Sequence, residues 1–285
     1  MHERDGMQLG FTTDPIFHYT TIENLALILK NRNIRFNRLD HVDDKEEAKI
    51  KSSGKNLSQY FFVSCWTRDA IENIPLWKMY TNNGLGVRIC LDEDPFIDYP
   101  LPKDPYGIII NREKIKDSKI PTNQIFGRDS SIIPVVNEEY GFLKDIEYVD
   151  NAIAQTSECL QIKTNEQNIH VLFSYEKIGY FKSKNWAFEK EARFVIPIFP
   201  ISSDSYHNKK EWNEEMIRMI YYNSPNRKIN EYFLSLKDDV LNNIIVRLSP
   251  NAKFEHFIIV ESLLKQYTTK GILERSQLAD KIEMK

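Results

Sequence analysis

Glycine-rich phosphate loops, metal-ligand pairs and long apolar runs are all missing from this 285-residue chain, and each absence removes a class of function. Its ten glycines form no Gly-x-Gly-x-x-Gly, Gly-Lys-Ser/Thr or Gly-x-Ser-x-Gly pattern. Those patterns let a backbone wrap phosphate or expose a nucleophilic serine. A nucleotide, if bound, is held some other way. The six histidines are scattered, without a Cys-x-x-Cys or His-x-x-x-His pair, so no metal is expected. Cys65, Cys90 and Cys159 are odd in number and far apart, which suits reduced thiols in a cytoplasmic protein better than disulfides. No apolar run approaches the ~20 residues that cross a bilayer. The charged opening, Met1 to Asp5, lacks the apolar centre of a secretory signal, and no membrane partner is expected. Net charge is −3 with both signs mixed along the length, so no basic block demands nucleic acid.

What is present is enough apolar content, 41%, to bury a core as one large domain or a domain with an appended lobe. Residues 1–14 read as an N-terminal arm, 15–200 as the core, and 201–285 as a part that completes or flanks the same domain. A strand over 15–20 precedes a helix, for which Thr20 and Glu23 have capping-box spacing. In that helix Ile22, Leu25, Ala26 and Leu29 form an apolar stripe. A strand follows over 34–39, then a charged surface helix within 40–56 that ends near Gly54. Aromatic and branched residues predict a strand over 60–66. Pro75 opens a short helix to Tyr80, the turn Asn82 to Gly84 breaks it, and a strand covers 86–91. Further strands are expected at 108–110, 146–149 and 244–248, and helices over 153–180 and 254–267. Helices interspersed irregularly among about seven short strands give the class α+β, with a mixed, mostly antiparallel sheet.

The segment from Phe181 to Ile196 stands out. Read as one strand, it places Glu189, Glu191 and Arg193 on one face and Phe188, Ala192 and Phe194 on the other. Two carboxylates in a Glu-x-Glu pattern suit the transfer of a glycosyl group, whose transition state carries positive charge on a sugar. The plainer reading is a solvated strand face with an ordinary Glu–Arg pair. Lys182 and Lys184, beside the glutamates, read as solvated, or as contacts for pyrophosphate or a nucleic-acid backbone. Trp66 and Trp186 read as core residues.

Several blocks resemble a large bacterial family known only as a domain of unknown function. They are residues 17–34, which open His-Tyr-Thr at His18, Tyr19 and Thr20; the 62–66 strand with Ser64; and Leu-Trp-x-x-Tyr with Trp77 and Tyr80. Trp-x-x-Glu-x-Glu-x-Arg over 186–193, and a closing block from Ile245 to the pair Arg275 and Ser276, complete the match in order. A more distant likeness is to the ADP-ribosyltransferase superfamily, including DNA-modifying toxins and RNA 2′-phosphotransferases. That resemblance implies a split sheet with flanking helices. It also implies an NAD-dependent transferase that modifies DNA, RNA or protein, of the kind found in toxin–antitoxin pairs and antiviral defence, where an antitoxin protein is a further partner.

The same resemblance implies Glu191 and Glu189 as catalytic residues. It implies His18, Tyr19, Thr20, Ser64, Trp77 and Tyr80 as NAD-binding residues, with Ser64 or Tyr80 in the nicotinamide position. Each has a structural reading beside it. His18 fits a partly buried histidine near a helix start. Thr20 fits a helix cap, and Trp77 the core. Ser64 fits a small buried hydroxyl. A catalytically inert nucleotide or nucleic-acid sensor on the same scaffold, or an RNA phosphotransferase, are the alternatives. The basic tetrad that suits phosphate extraction is not evident here.

Overall fold

Thr21, not Thr20, caps the first helix: its hydroxyl accepts the Asn24 N–H at 3.2 Å and the helix runs Ile22–Asn31. The Thr20 hydroxyl instead accepts from the Asn24 side-chain amide at 3.1 Å. Arg32 ends the helix in the left-handed region (φ 54°), donating its N–H to Ile28 O. The structure, a computed structural model, describes residues 14–101, 117–133, 142–165, 169–202, 209–225 and 229–284. The expected strand at 108–110 and all but one residue of the proposed arm lie outside these.

The chain divides into two compact units. The first holds residues up to Asn33, Trp66–Phe96 and Ser235 onward. Its strands pair in a simple series. Pro15–Thr20 is antiparallel to Val87–Asp92, with His18 opposite Ile89. Val87–Asp92 is antiparallel to Ile245–Leu248. That strand takes Ile272–Glu274 in parallel, a pairing the chain reaches by crossing over through the Phe254–Tyr267 helix. The helix matches the expected bounds. The residues after it supply this last strand and a buried anchor: Ser276 Oγ donates to Glu72 at 2.5 Å. Leu25 and Leu29 are buried, as the apolar stripe predicts.

Between the Ile74–Tyr80 helix, capped by Asn73, and the Val87–Asp92 strand, Asn82, Asn83 and Gly84 all have positive φ (52°, 56° and 80°). Two residues on, the backbone at Gly86 passes so close to its neighbours that a Cβ would collide with Thr20 O and lie 2.8 Å from Thr81 Cβ. Gly86→Ala is expected to lower unfolding free energy by about 1–3 kcal/mol, as overpacking does. Urea denaturation measures this, and an unchanged midpoint would show that the crossing relaxes freely.

The second unit holds Ile34–Cys65 and Ile97–Leu234. Its core joins Tyr60, Phe61 and Val63 to Ile178, Val195, Phe199 and Trp212. Glu191–Phe199, buried throughout, lies beside Phe61–Thr67 and pairs antiparallel with Leu143–Asp145 and with Ser131–Ile132. Pro197 does not end this strand; its carbonyl still accepts the Ile133 N–H at 3.1 Å, and only the missing proline donor is lost. Most pairings in both units are antiparallel, so the class is α+β with flanking helices.

Two helix expectations fail here. Residues 40–56 form short 3-10 turns at Leu39–His41 and Glu47–Lys49, then a hairpin of Lys51–Ser52 with Lys55–Asn56. Ser53 and Gly54 turn that hairpin with positive φ (49° and 74°), a geometry that breaks a helix. Among the described residues of 153–180, α-helix lies only within Ala152–Thr156, followed by a hairpin pairing Leu160–Thr164 with Ile169–Phe173. Alternating branched residues there, Ile162, Ile169 and Val171, favour strand over helix. Lys209–Tyr222 is a helix that places Trp212, Met219 and Ile220 in the core.

Candidate functional site

The stretch around the two glutamates is not one strand. Phe181–Ser183 is a short strand paired in parallel with Glu147–Val149, and Ser183 caps a 3-10 turn over Lys184–Glu189. Lys190 closes that turn in the left-handed region (φ 46°), and only then does the Glu191–Phe199 strand begin. Glu189 and Glu191 therefore sit on different elements. They share a site because one side chain reaches both: Lys182 Nζ lies 2.5 Å from Glu189 Oε2 and 3.2 Å from Glu191 Oε2. The same ammonium lies 4.5 Å from the centre of the Trp186 ring.

Behind this pair stands Arg193, and all five of its N–H groups have acceptors. Nε donates to Glu191 Oε1 at 2.5 Å and Nη2 to Glu191 Oε2 at 2.9 Å. Nη2 also donates to Glu47 Oε2 at 2.9 Å, while Nη1 donates to Glu47 Oε1 and, at 3.2 Å, to Gly179 O. The guanidinium fork thus holds two carboxylates bidentately, the geometry that suits arginine and not lysine. Glu47 is itself fixed. Asp44 Oδ1 accepts the Glu46 and Glu47 N–H groups, and Ser58 Oγ donates to Glu47 O at 2.9 Å.

The five charged residues are nearly inaccessible: Glu47 is 2% exposed, Lys182 5%, Glu189 4%, Glu191 6% and Arg193 1%. This rules out the solvated strand face, because burying such charges without mutual pairing costs several kcal/mol each. Burial pushes the Glu191 carboxyl up, but Arg193 and Lys182 outweigh it and hold it at about 2. Burial lowers the Lys182 ammonium, yet Glu191 and Glu189 together leave it raised. Burial, followed by Glu191, pushes the Cys65 thiol well up, which makes it an inert donor rather than a nucleophile. The Tyr148 hydroxyl, pushed up to about 12 by burial, accepts the Glu191 N–H at 2.8 Å. Burial pushes the Glu47 carboxyl up despite its bonds to Arg193. Three carboxyl groups thus share two cations.

Sequence reasoning found Glu189, Glu191 and Arg193 but not Glu47, which it placed on a surface helix, nor the burial of Lys182. Asp44, three residues before Glu47, was the available signal, since that spacing folds a tight acid-capped turn. Lys184 is exposed and pairs with Asp150 at 2.8 Å. Trp186 is half-buried, not core, and Phe188 lies at the surface rather than on an inner strand face.

The other expected site residues are placed as follows. Ser64, in the second unit, is buried on the Phe61–Thr67 strand. His18, Tyr19, Thr20, Trp77 and Tyr80 all belong to the first unit. His18 is half-buried with its ring 5.1 Å from that of Trp66. Tyr19 meets Trp77 edge-on at 4.8 Å, and its hydroxyl accepts the Asn73 N–H. Trp77 is fully buried and donates Nε1–H to Glu72 at 3.0 Å. Tyr80, with Leu278 and Met284, packs against Tyr19, Leu76 and Trp77. Tyr19, Trp77 and Tyr80 are thus brought together within the first unit, as Glu189 and Glu191 are within the second.

Among the described residues, no group of three or more His, Cys, Asp or Glu could hold a metal ion, and no helix is long and apolar enough to cross a membrane. The chain matches no family model, and no curated protein or solved structure is significantly similar to it.

Proposed function

We propose that this protein is an ADP-ribosyltransferase that consumes NAD and modifies a macromolecule, with Glu189 and Glu191 at its reacting centre. The observation that carries this reading is the pair of buried carboxyl groups on one lysine, with Glu191 held ionised by Arg193 and Lys182. Cleaving the bond between nicotinamide and ribose builds positive charge on the sugar, and fixed negative charge that is already desolvated stabilises it without reorganisation. The resemblance of the His-Tyr-Thr and Trp-x-x-Glu-x-Glu-x-Arg blocks to that superfamily supports the same reaction. Glu191 would exchange its longer contact, the 3.2 Å bond from Lys182, for the ribose 2′-hydroxyl. Glu189, at the end of a turn whose other residues are mostly exposed, would take the proton of the acceptor. Arg193, with every donor engaged, positions Glu191 and does not meet substrate.

The saturation of Glu191 favours a second reading, an inert nucleotide-sensing module in which the cluster only holds the unit together. Nicotinamide release and transfer of labelled ADP-ribose to a cell extract, with nuclease and protease controls for the acceptor class, separate the two. Glu191→Gln is expected to lower turnover at least ~100-fold, about 3 kcal/mol, while changing NAD affinity less. Glu189→Gln should spare slow NAD hydrolysis and impair transfer. A folded Glu191→Gln that releases nicotinamide at the wild-type rate, or a folded Glu189→Gln that transfers ADP-ribose at it, would remove that glutamate from the chemistry. A wild-type protein with neither nicotinamide release nor a thermal shift on adding NAD would overturn the transferase reading.

A further inference from the structure

We propose that Arg88 binds the carboxylate group of a ligand, on the face of the first unit's sheet that His18 does not share. Arg88 is only 3% exposed, yet among the described residues every group that it bonds or stacks on is neutral. Its Nη1 donates to Ala70 O at 3.0 Å, and the Tyr19 hydroxyl accepts from the same guanidinium. The guanidinium lies 4.4 Å from the centre of the Phe17 ring and 5.8 Å from that of Tyr19. Its other donors meet no acceptor among the described residues. Ring faces attract a cation, but less than removing it from water costs, so a guanidinium buried this deeply calls for an anion.

The neighbouring carboxylates are committed elsewhere. Register sets Tyr19, Arg88, Arg247 and Glu274 in one row across four strands, with their side chains on one face, while His18 alternates to the other. Arg247 takes Glu274 at 2.5 Å and Glu72 at 3.2 Å, and Glu72 also accepts from Trp77, Ser276 and the Gln277 N–H. Like charges directly opposite on paired strands repel, so Arg247 adds to the need for an anion at Arg88. Exposure grows along the row, to 16% at the Arg247 side chain and 25% at that of Glu274, which leaves an approach over the Ile272–Glu274 edge strand.

A carboxylate fits this place better than a phosphate. Its two oxygens match the edge of a guanidinium in one plane, and it carries a single charge. Phosphate carries more charge and costs more to desolvate. The next row on the same face, Phe17, Cys90 and Ile245, forms an apolar cluster, which suits a head group borne on carbon. The ligand is independent of the transferase reading, whose two glutamates belong to the other unit.

The experiment follows arginine Nε–H signals by NMR in full-length protein made with nitrogen-labelled arginine. Acetate, butyrate, benzoate or inorganic phosphate replaces chloride at constant ionic strength. Arg88→Met and Arg88→Lys each assign the Arg88 signal by its loss. At least one carboxylate should shift that signal saturably, binding at least ~10-fold more tightly than phosphate. The same carboxylate should raise the urea midpoint of the wild type and leave that of Arg88→Met unchanged. In Arg88→Lys, which keeps the charge but not the fork, its affinity should fall at least ~10-fold. That variant carries the test if Arg88→Met does not fold. An Arg88 signal that no carboxylate moves, or one that phosphate moves as tightly, overturns the proposal. So does a urea midpoint that rises equally in the wild type and the variants, because the carboxylate would then bind elsewhere.

Discussion

Arg193→Met is expected to lower the unfolding free energy by about 3–5 kcal/mol, the usual cost of removing one partner from a buried ion pair. Methionine fills much of the arginine stem's volume, so the effect is mainly electrostatic. Glu47 and Glu191 would each lose two charge-assisted hydrogen bonds while remaining buried. Gly179 O would also lose a donor. The test for this mechanism is compensation. In Arg193→Met/Glu47→Gln one of the stranded charges is gone, and a substantial part of the loss should return. Equilibrium urea denaturation of the three proteins reads this directly. A loss below about 1 kcal/mol would mean that water reaches the pair, because solvated ion pairs are worth no more than that.

Glu72→Ala should have a comparable effect, about 3–5 kcal/mol, in the other unit. Glu72 is a buried carboxylate with four donors: Trp77 Nε1, Arg247 Nη1, Ser276 Oγ and the Gln277 N–H. Two of these tie down the residues after the final strand. Met284 and Leu278 then pack near Tyr80, and Asn251 exchanges hydrogen bonds with the Met284 backbone. Removing the carboxylate leaves the indole N–H and the Arg247 charge without this acceptor, although Glu274 still holds Arg247 at 2.5 Å. Hydrogen exchange adds a second readout: amides of residues 276–284 should lose protection well before the paired strands do. Unchanged protection there, with wild-type stability, would show that Glu72 is not the anchor.

Elements whose signal is local are legible in the chain. Alternation marks the strand at 34–39, aromatic and branched residues mark the one at 60–66, strands at 15–20 and 244–248 are also expected, and an amphipathic period of 3.6 marks the helix over 254–267 within its observed bounds. Glu189, Glu191 and Arg193 were legible as candidates because three charges within five residues of an apolar stretch are costly to bury. Where local signals competed, the reading failed. A charge-rich segment at 40–56 has helical composition, but Ser53 and Gly54 turn it into a hairpin. The 153–180 segment folds mainly as strands because its branched residues pair with one another.

Only the tertiary structure decided that the charged face is buried and what neutralises it. Glu47 lies 146 positions from Arg193, and no spacing rule connects them. Lys182 is nine positions from Glu191, yet its reach depends on a left-handed turn at Lys190 that folds Glu189 back toward the same ammonium. A carboxylate's role is set by the dielectric around it and by which cations stand within hydrogen-bonding distance. Both are properties of packing between segments remote in sequence, so the charges could be read from the chain and their environment could not.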